Sequence, residues 1–406
     1  MKQILGLILS IGAVFVVNSC SDSSKQNNEN VLVFWHFWSE PAQKQVLRNL
    51  IDRFESENNC KVVTTELSWN DGKTKLLASF NSNTAPDVLE LGSDWVAQFS
   101  SAGVLSEIPE ADLSYAIPFA LTPSRWDGKY YAAPWVVDTR VMFCNVAAMK
   151  KANISKVPSN VEELVLASKA ISETQQEVYG FGANGADAHR LYKKILPFFW
   201  SNGGDIFDSR GTLVLNSSQN VAALEKYVEL SRYGMIETQR HLDEMFVQGK
   251  IGFWISGSWL MKKIHEGNPK LEYSVSLIPG MGASSMSFAG GEYIAINKLS
   301  KKQELAEKLL KFLTKEENVV SFCKSIPEAG FPASKSNSSM SFKDVPHKEI
   351  FAQQLLLAKM TPVHPRWLEI EAILENAVTS ALLGEKSAAL ALADAQKEAE
   401  SLVMTQ

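Results

Sequence analysis

The chain has 406 residues, of which 45% are hydrophobic and 21% charged, and its net charge is −5 at neutral pH. That balance fits a globular protein with ample core, and the mild negative charge argues against a nucleic-acid partner, which needs a basic surface to displace counterions. Four widely spaced cysteines, Cys20, Cys60, Cys144 and Cys323, define no disulfide framework; one pair among the last three could bridge, and spacing does not say which.

The N-terminus carries Lys2 and then an apolar run from Ile4 to Val17. This is shorter than the roughly 20 apolar residues a membrane span needs, yet it has the charge, length and small-residue exit of an export signal. A buried first helix would need a partner face, and the polar residues that follow supply none. Cleavage after Val17, Asn18 and Ser19 would present Cys20 as the first residue, which resembles the lipobox of bacterial lipoproteins, whose cysteine is acylated. Residues 1–19 then read as a signal peptide and 20–30 as a lipidated tether, since Ser21 to Asn30 contains no apolar residue. The expected location is outside the cytoplasm, lipid-anchored at the outer face of the cytoplasmic membrane or in the periplasm. About 375 residues remain, enough for two domains.

Beyond the tether, "VLVFWHF" (31–37) reads as a buried strand, and Ser39-Glu40-Pro41 as the start of a helix whose Val46, Leu47, Leu50, Ile51 and Phe54 form one apolar stripe. "KVVTTEL" and "DVLEL" are further strands; Ser93 is placed to cap a helix that Gly103 ends. "RWDGKYYAAPW" holds an Asp127-Gly128 hairpin turn. Ser159 with Glu162 predicts a capping box, residues 217–233 a helix closed by Gly234, and Ser300 with Gln303 a second capped helix. "KIGFWISG" and "YSVSLIPG" are strands, the last sixty residues are nearly all helical, and residues 334–341 form a surface loop. Strands alternating with helices predict an α/β fold with mainly parallel sheets. Two such lobes bind ligands at the carboxyl ends of their strands.

Ten tryptophans are the most informative side chains, because several stand at element ends beside polar groups: "WSEP", "SWNDG", "GSDW", "APWVVDTR", "FFWSNGGD", "SGSWL". An aromatic face next to carboxylates and amides suits a sugar, whose C–H faces stack while its hydroxyls take hydrogen bonds. Each ring also has a core reading, which Trp35, Trp126 and Trp254 favour. Glu40, Asp71, Asp94, Asp138, Asp205 and Glu292 lie near these rings. They would orient hydroxyls, or as an opposed pair hydrolyse a glycosidic bond. Asp138 equally suits an ion pair with Arg140, two residues along the same strand. In "SFAGGEYIAIN" two glycines interrupt an apolar strand, which predicts close approach of the backbone to a ligand or another segment, or a bulge.

Other chemistries find little support. The six histidines show no metal-ligand spacing, no nucleophile elbow or P-loop occurs, and "GFGANG" (180–185) lacks dinucleotide spacing. No cofactor and no metal are expected.

In family order, "VFWHFWSE", "TAPDVLELGSDW", "SAGVL", "WDGKYYAAPWVVDTRVMFCN", "LPFFWSNGGDIFD", "VQGKIGFWISGSW" and "FAGGEYIAINKLSKKQELAEKLLKFL" resemble the solute-binding proteins of carbohydrate-uptake ABC transporters, the maltodextrin-binding-like family. The resemblance implies a two-lobed periplasmic-binding-protein fold, each lobe a mainly parallel sheet flanked by helices, with residues 31–138 plus 286–335 in one lobe and 139–285 plus 336–406 in the other. Hinge segments would run near 136–144, 284–292 and 330–345. Carried over by position, the ligand-binding residues are Trp38, Ser39, Glu40, Trp69, Ser93, Asp94 and Trp95 from one side. From the other lobe and the hinges come Trp135, Asp138, Trp200, Trp259, Gly291, Glu292 and Arg366. Cys144 departs from the family, where a tyrosine usually precedes Asn145. The implied partners are a sugar or oligosaccharide, ABC permease subunits and a membrane holding the lipid on Cys20, with the protein a monomer and not an enzyme. A secreted glycoside hydrolase is the main rival; a binder of a non-sugar solute, such as ferric iron or an amino acid, is the third reading.

Overall fold

The computed structural model describes residues 30–282, 284–335, 342 and 344–403. The export signal, Cys20 and most of the 334–341 loop lie outside the described residues.

The first sheet starts with β1 (Val31–His36), β2 (Lys61–Glu66) and β3 (Val88–Gly92), and β1 runs parallel to both of the others. Between β1 and β2 lies helix Pro41–Asn58, which buries Leu47, Leu50, Ile51 and Phe54 as the apolar spacing predicts. Pro41 enters its first turn, where a missing N–H costs nothing, and Asn59 ends it in the left-handed conformation (φ 48°). The short hairpin of β4 (Arg125–Trp126) and β5 (Lys129–Tyr130) turns at Asp127 and Gly128, both at positive φ (46° and 78°). That is the Asp-Gly turn expected from sequence.

β6 (Ala133–Thr139) belongs to the first sheet; after the single residue Arg140 the chain becomes β7 (Val141–Asn145) in a second sheet. That sheet is completed by β8 (Tyr179–Asn184), β9 (Gly234–Glu237), β10 (Ile251–Ser256) and β11 (Tyr273–Ser276), in the order β11-β7-β10-β8-β9. The chain then returns as β12 (Ser287–Ile296), between β3 and β6 of the first sheet, where β13 (Phe331–Pro332) flanks β6 and β14 (Ala358–Lys359) pairs with β12. Helices Trp367–Leu382 and Ala388–Val403 pack on each other and on helix Ser218–Ser231 of the second lobe. The architecture is thus the two-lobed α/β one.

The parallel character is more limited than expected. β1, β2 and β3 pair in parallel, as do β8, β9 and β10, but β12 is antiparallel to β3 and β6, and β7 is antiparallel to β10 and β11. The strands by which the chain crosses between sheets enter each one reversed.

Three predicted helix starts move by one or two residues. Asn160, not Ser159, caps helix Val161–Thr174, its Oδ1 accepting from Glu163 N at 2.8 Å, while Ser159 bonds the Glu163 carboxylate. Ser300 donates to Asp87 at 2.6 Å and accepts from Lys302 N at 3.1 Å, and Lys302 rather than Ser300 precedes helix Gln303–Thr314; Trp95 rather than Ser93 precedes helix Val96–Ser101. Gly234 opens β9 instead of closing a helix: a Cβ there would stand 2.5 Å from Phe181 O. Cys60, Cys144 and Cys323 are buried free thiols.

Candidate functional site

A cleft of about 610 Å³ opens between the two sheets. Each wall is made by the segments that leave the carboxyl ends of parallel strands, the positions where α/β folds offer ligands their loops and helix starts.

On the first wall, the segment after β1 contributes Phe37, Trp38, Ser39 and Glu40, that after β2 Trp69 and Asn70, and that after β3 Gly92, Ser93, Asp94 and Trp95. Trp69 stacks on Phe37 with ring centroids 4.1 Å apart and planes 21° apart, and Trp95 meets Phe37 edge-on at 5.5 Å. Trp69 keeps 44% of its surface exposed, so the stack presents an open aromatic face. Beneath it, the fully buried Glu90 accepts from Phe37 N at 2.9 Å, and burial pushes its carboxyl up to about 8.

The second wall mirrors this. Asp187, Ala188, His189, Arg190 and Lys193 follow β8; Gln239, Arg240 and Asp243 follow β9; Trp259 and Lys263 follow β10. Asp243, 1% exposed, organises this side by accepting from Trp254 Nε1 (2.8 Å), Ser256 Oγ (2.9 Å), Trp259 Nε1 (3.0 Å) and Lys263 Nζ (3.0 Å). The loop before helix Tyr192–Ser201 is tied to helix Trp367–Leu382: Glu375 accepts from His189 N and Tyr192 N, and His189 Nδ1 lies 2.6 Å from Glu371. Burial raises Glu371 to about 7, while its hydrogen bond raises His189.

Strands β6 and β12 form the floor, with Asp138, Phe288, Gly290, Gly291 and Glu292, and Arg140 at the crossover. The expected pair exists: Arg140 Nη1 contacts Asp138 at 2.5 Å, and its guanidinium lies 4.6 Å from the Trp259 ring centroid. Burial, then Asp138 and Glu90, push the Glu292 carboxyl well above its usual range. Both readings of the paired glycines hold. A Cβ on Gly291 would meet Val136 O at 2.3 Å, and the β12–β6 register shifts between Glu292 and Tyr293. The approaching partner is the neighbouring strand.

Eleven of the fourteen residues expected from sequence line this cleft: Trp38, Ser39, Glu40, Trp69, Ser93, Asp94, Trp95, Asp138, Trp259, Gly291 and Glu292. Three do not. Trp135, 1% exposed, lies three residues from Asp138 on one strand and therefore on its opposite face, where it packs on Trp38 and Phe322. Trp200 sits at the far end of helix Tyr192–Ser201, about 12 Å along the axis from Tyr192, and donates to Asp205. Arg366 turns to Glu369 of its own helix. Sequence reasoning passed over Phe37, Asn70, Asp187, His189, Arg190, Lys193, Asp243, Lys263 and Phe288. Most of these share one signal, a place in the segment following a parallel strand. The pairing of strands, which sequence does not give, is what makes it readable.

The lobes touch across the cleft. Tyr192 donates to Asp94 (3.1 Å), Arg190 to Asn70 (2.8 Å), and Lys262 reaches Glu40 and Glu328. At the crossovers, Thr139 donates to Ser287 (3.0 Å), whose hydroxyl lies 2.8 Å from Arg140 O. Among the described residues no group of three or more His, Cys, Asp or Glu side chains could hold a metal ion.

The sequence model of the family described as bacterial extracellular solute-binding protein matches residues 38–320. A putative binding protein of Brucella abortus is 28% identical over 368 residues, covering 86% of this chain and 88% of that protein. The maltodextrin-binding protein MdxE of Bacillus subtilis is 26% identical over 374 residues, covering 88% and 87%. Among solved structures, the GacH receptor of Streptomyces glaucescens, determined unliganded and with acarbose, superposes with a TM-score of 0.81 at 23% identity, over 92% of this chain and 98% of that one.

Proposed function

Because this chain belongs to the bacterial extracellular solute-binding proteins, we propose that it captures a sugar or oligosaccharide between its lobes and hands it unchanged to the membrane permease of an ABC importer. The observation that carries this is the open Phe37–Trp69 face on one wall and Trp259 on the other, with hydrogen-bonding groups on both. Apolar sugar faces stack on such rings while hydroxyls meet the polar side chains. The relative named as a maltodextrin-binding protein and the fold neighbour solved in complex with acarbose support the same reading. Trp38, Ser39, Glu40, Trp69, Ser93, Asp94, Trp95, Asp138, Trp259, Gly291 and Glu292 are the proposed contacts.

Capture works by hinge bending at the crossovers, with residues 31–138 plus 286–335 moving against 139–285 plus 336–406. A ligand bridging both walls favours the closed form by its differential affinity for it. Acylated Cys20 keeps the monomer at the membrane, near the permease. Hydrolysis would need one free acid and one free base flanking a sugar. Asp138 is held by Arg140 and Asp243 by four donors, so neither is free to act as that acid or base.

A thermal-shift screen against mono- and oligosaccharides tests this. A ligand at 100 times its dissociation constant adds about 2.7 kcal/mol of stability, and chromatography should recover it intact. Turnover of the sugar would establish the hydrolase instead; no shift with any saccharide would reject a sugar ligand.

A further inference from the structure

Resting on the saccharide reading, the cleft also carries information about the charge of its ligand. Four of its carboxylates are paired with cations, Asp138 with Arg140, Asp243 with Lys263, and Glu40 and Glu328 with Lys262, while Asp187 and Asp94 each take neutral donors at one oxygen, from Gln239 N and Asn184 and from Tyr192. Burial, then Asp138 and Glu90, raise the Glu292 carboxyl above its ordinary range, which weakens its repulsion of an anion.

Among the described residues, Lys193 and Arg190 have no such carboxylate partner. The Lys193 ammonium makes no hydrogen bond or ion pair among the described residues; it stands over aromatic rings, 5.3 Å from the centroids of Tyr192 and Phe288, and acts on the Glu292 and Glu375 carboxylates only at longer range. Arg140, paired through Nη1 with Asp138, lies over the same Phe288 ring at 5.5 Å, and its Nε, in a residue only 6% exposed, is buried without a partner. Arg190, in the loop before Lys193, bonds only the neutral Asn70. A cation without a paired carboxylate, as Lys193 is, loses hydration in a closing cleft unless the ligand brings an acceptor.

We propose that the ligand is an acidic saccharide, bearing a carboxylate or sulfate group that Lys193, with Arg140 and Arg190 beside it, receives over the Phe288 ring.

The test uses matched pairs: gluco-, galacto- and mannuronate di- and trisaccharides as free acids and as methyl esters, plus one disaccharide with and without its sulfate. Calorimetric titration of the whole protein should show at least one acid binding ten-fold or more tighter than its neutral counterpart. Lys193→Gln should erase that preference and Lys193→Arg restore it, with melting temperatures close to wild type in both. Uronate and sulfate arms show which anion is taken. Esters or neutral sugars binding as tightly as acids, or a preference untouched by Lys193→Gln, would overturn the acidic ligand and leave the saccharide reading standing. If no saccharide of either series binds, both fail.

Discussion

The Tyr192 hydroxyl, on one lobe, donates to the Asp94 carboxylate on the other at 3.1 Å, with its ring edge-on to Phe288 on the cleft floor. This bond bridges the two walls, and under the proposed hinge bending it favours closure. Tyr192→Phe removes the donor without changing the ring. The variant should bind ligand several-fold more weakly, from the loss of about 1 kcal/mol of closed-state stabilisation. Titration calorimetry reads the loss. Unchanged affinity would mean that the contact plays no part in closure.

Two tryptophans expected to act alike should separate cleanly. Trp69→Ala removes an exposed stacked ring and should weaken ligand binding several-fold, about 1 kcal/mol, with little effect on unfolding. Trp135→Ala empties a core position against Trp38 and Phe322 and should cost about 3–5 kcal/mol of stability. Chemical denaturation and ligand titration on both variants check the contrast.

Glu90 gives a pH signature. The folded protein keeps its carboxyl protonated up to about 8, whereas the ordinary value is 4.5. Between those values the folded state therefore holds more protons than the unfolded chain, and this group's contribution makes stability fall as pH rises. Glu90→Gln removes the titration. The variant should match wild type near pH 4.5 and gain on it up to pH 8, by at most about 1.4 kcal/mol per pH unit. Paired thermal melts across this range measure the difference; a constant gap would refute the shift.

Asp243 holds two indoles, a hydroxyl and an ammonium with one carboxylate. Asp243→Ala strands the buried donors of Trp254 and Ser256 and should cost about 2–4 kcal/mol of stability. It should also weaken binding, because Trp259 loses the bond that fixes its ring at the cleft. Lys263→Met, which removes an exposed partner, should change stability by less than about 1 kcal/mol.

Much of this was legible from periodicity. The stripe of helix Pro41–Asn58 and the Asp127-Gly128 turn follow from local rules, and both are in place. The tryptophan settings found one wall well, because Trp38, Trp69 and Trp95 each leave a parallel strand of the first sheet. The second wall was largely missed: Asp243 and Lys193 lie on helices whose sequence shows only amphipathic spacing, and their meeting depends on β8, β9 and β10 lying side by side. Trp135 failed for a local reason, strand parity, which becomes decisive only once Asp138 is known to face the cleft.

Diffraction from crystals grown with the saccharide that most raises the melting temperature is the most direct test of capture. The account predicts density for an unbroken sugar between the Phe37–Trp69 stack and Trp259, touching side chains of both walls. A sugar bound to one lobe only or outside the cleft, or one found cleaved, would contradict it.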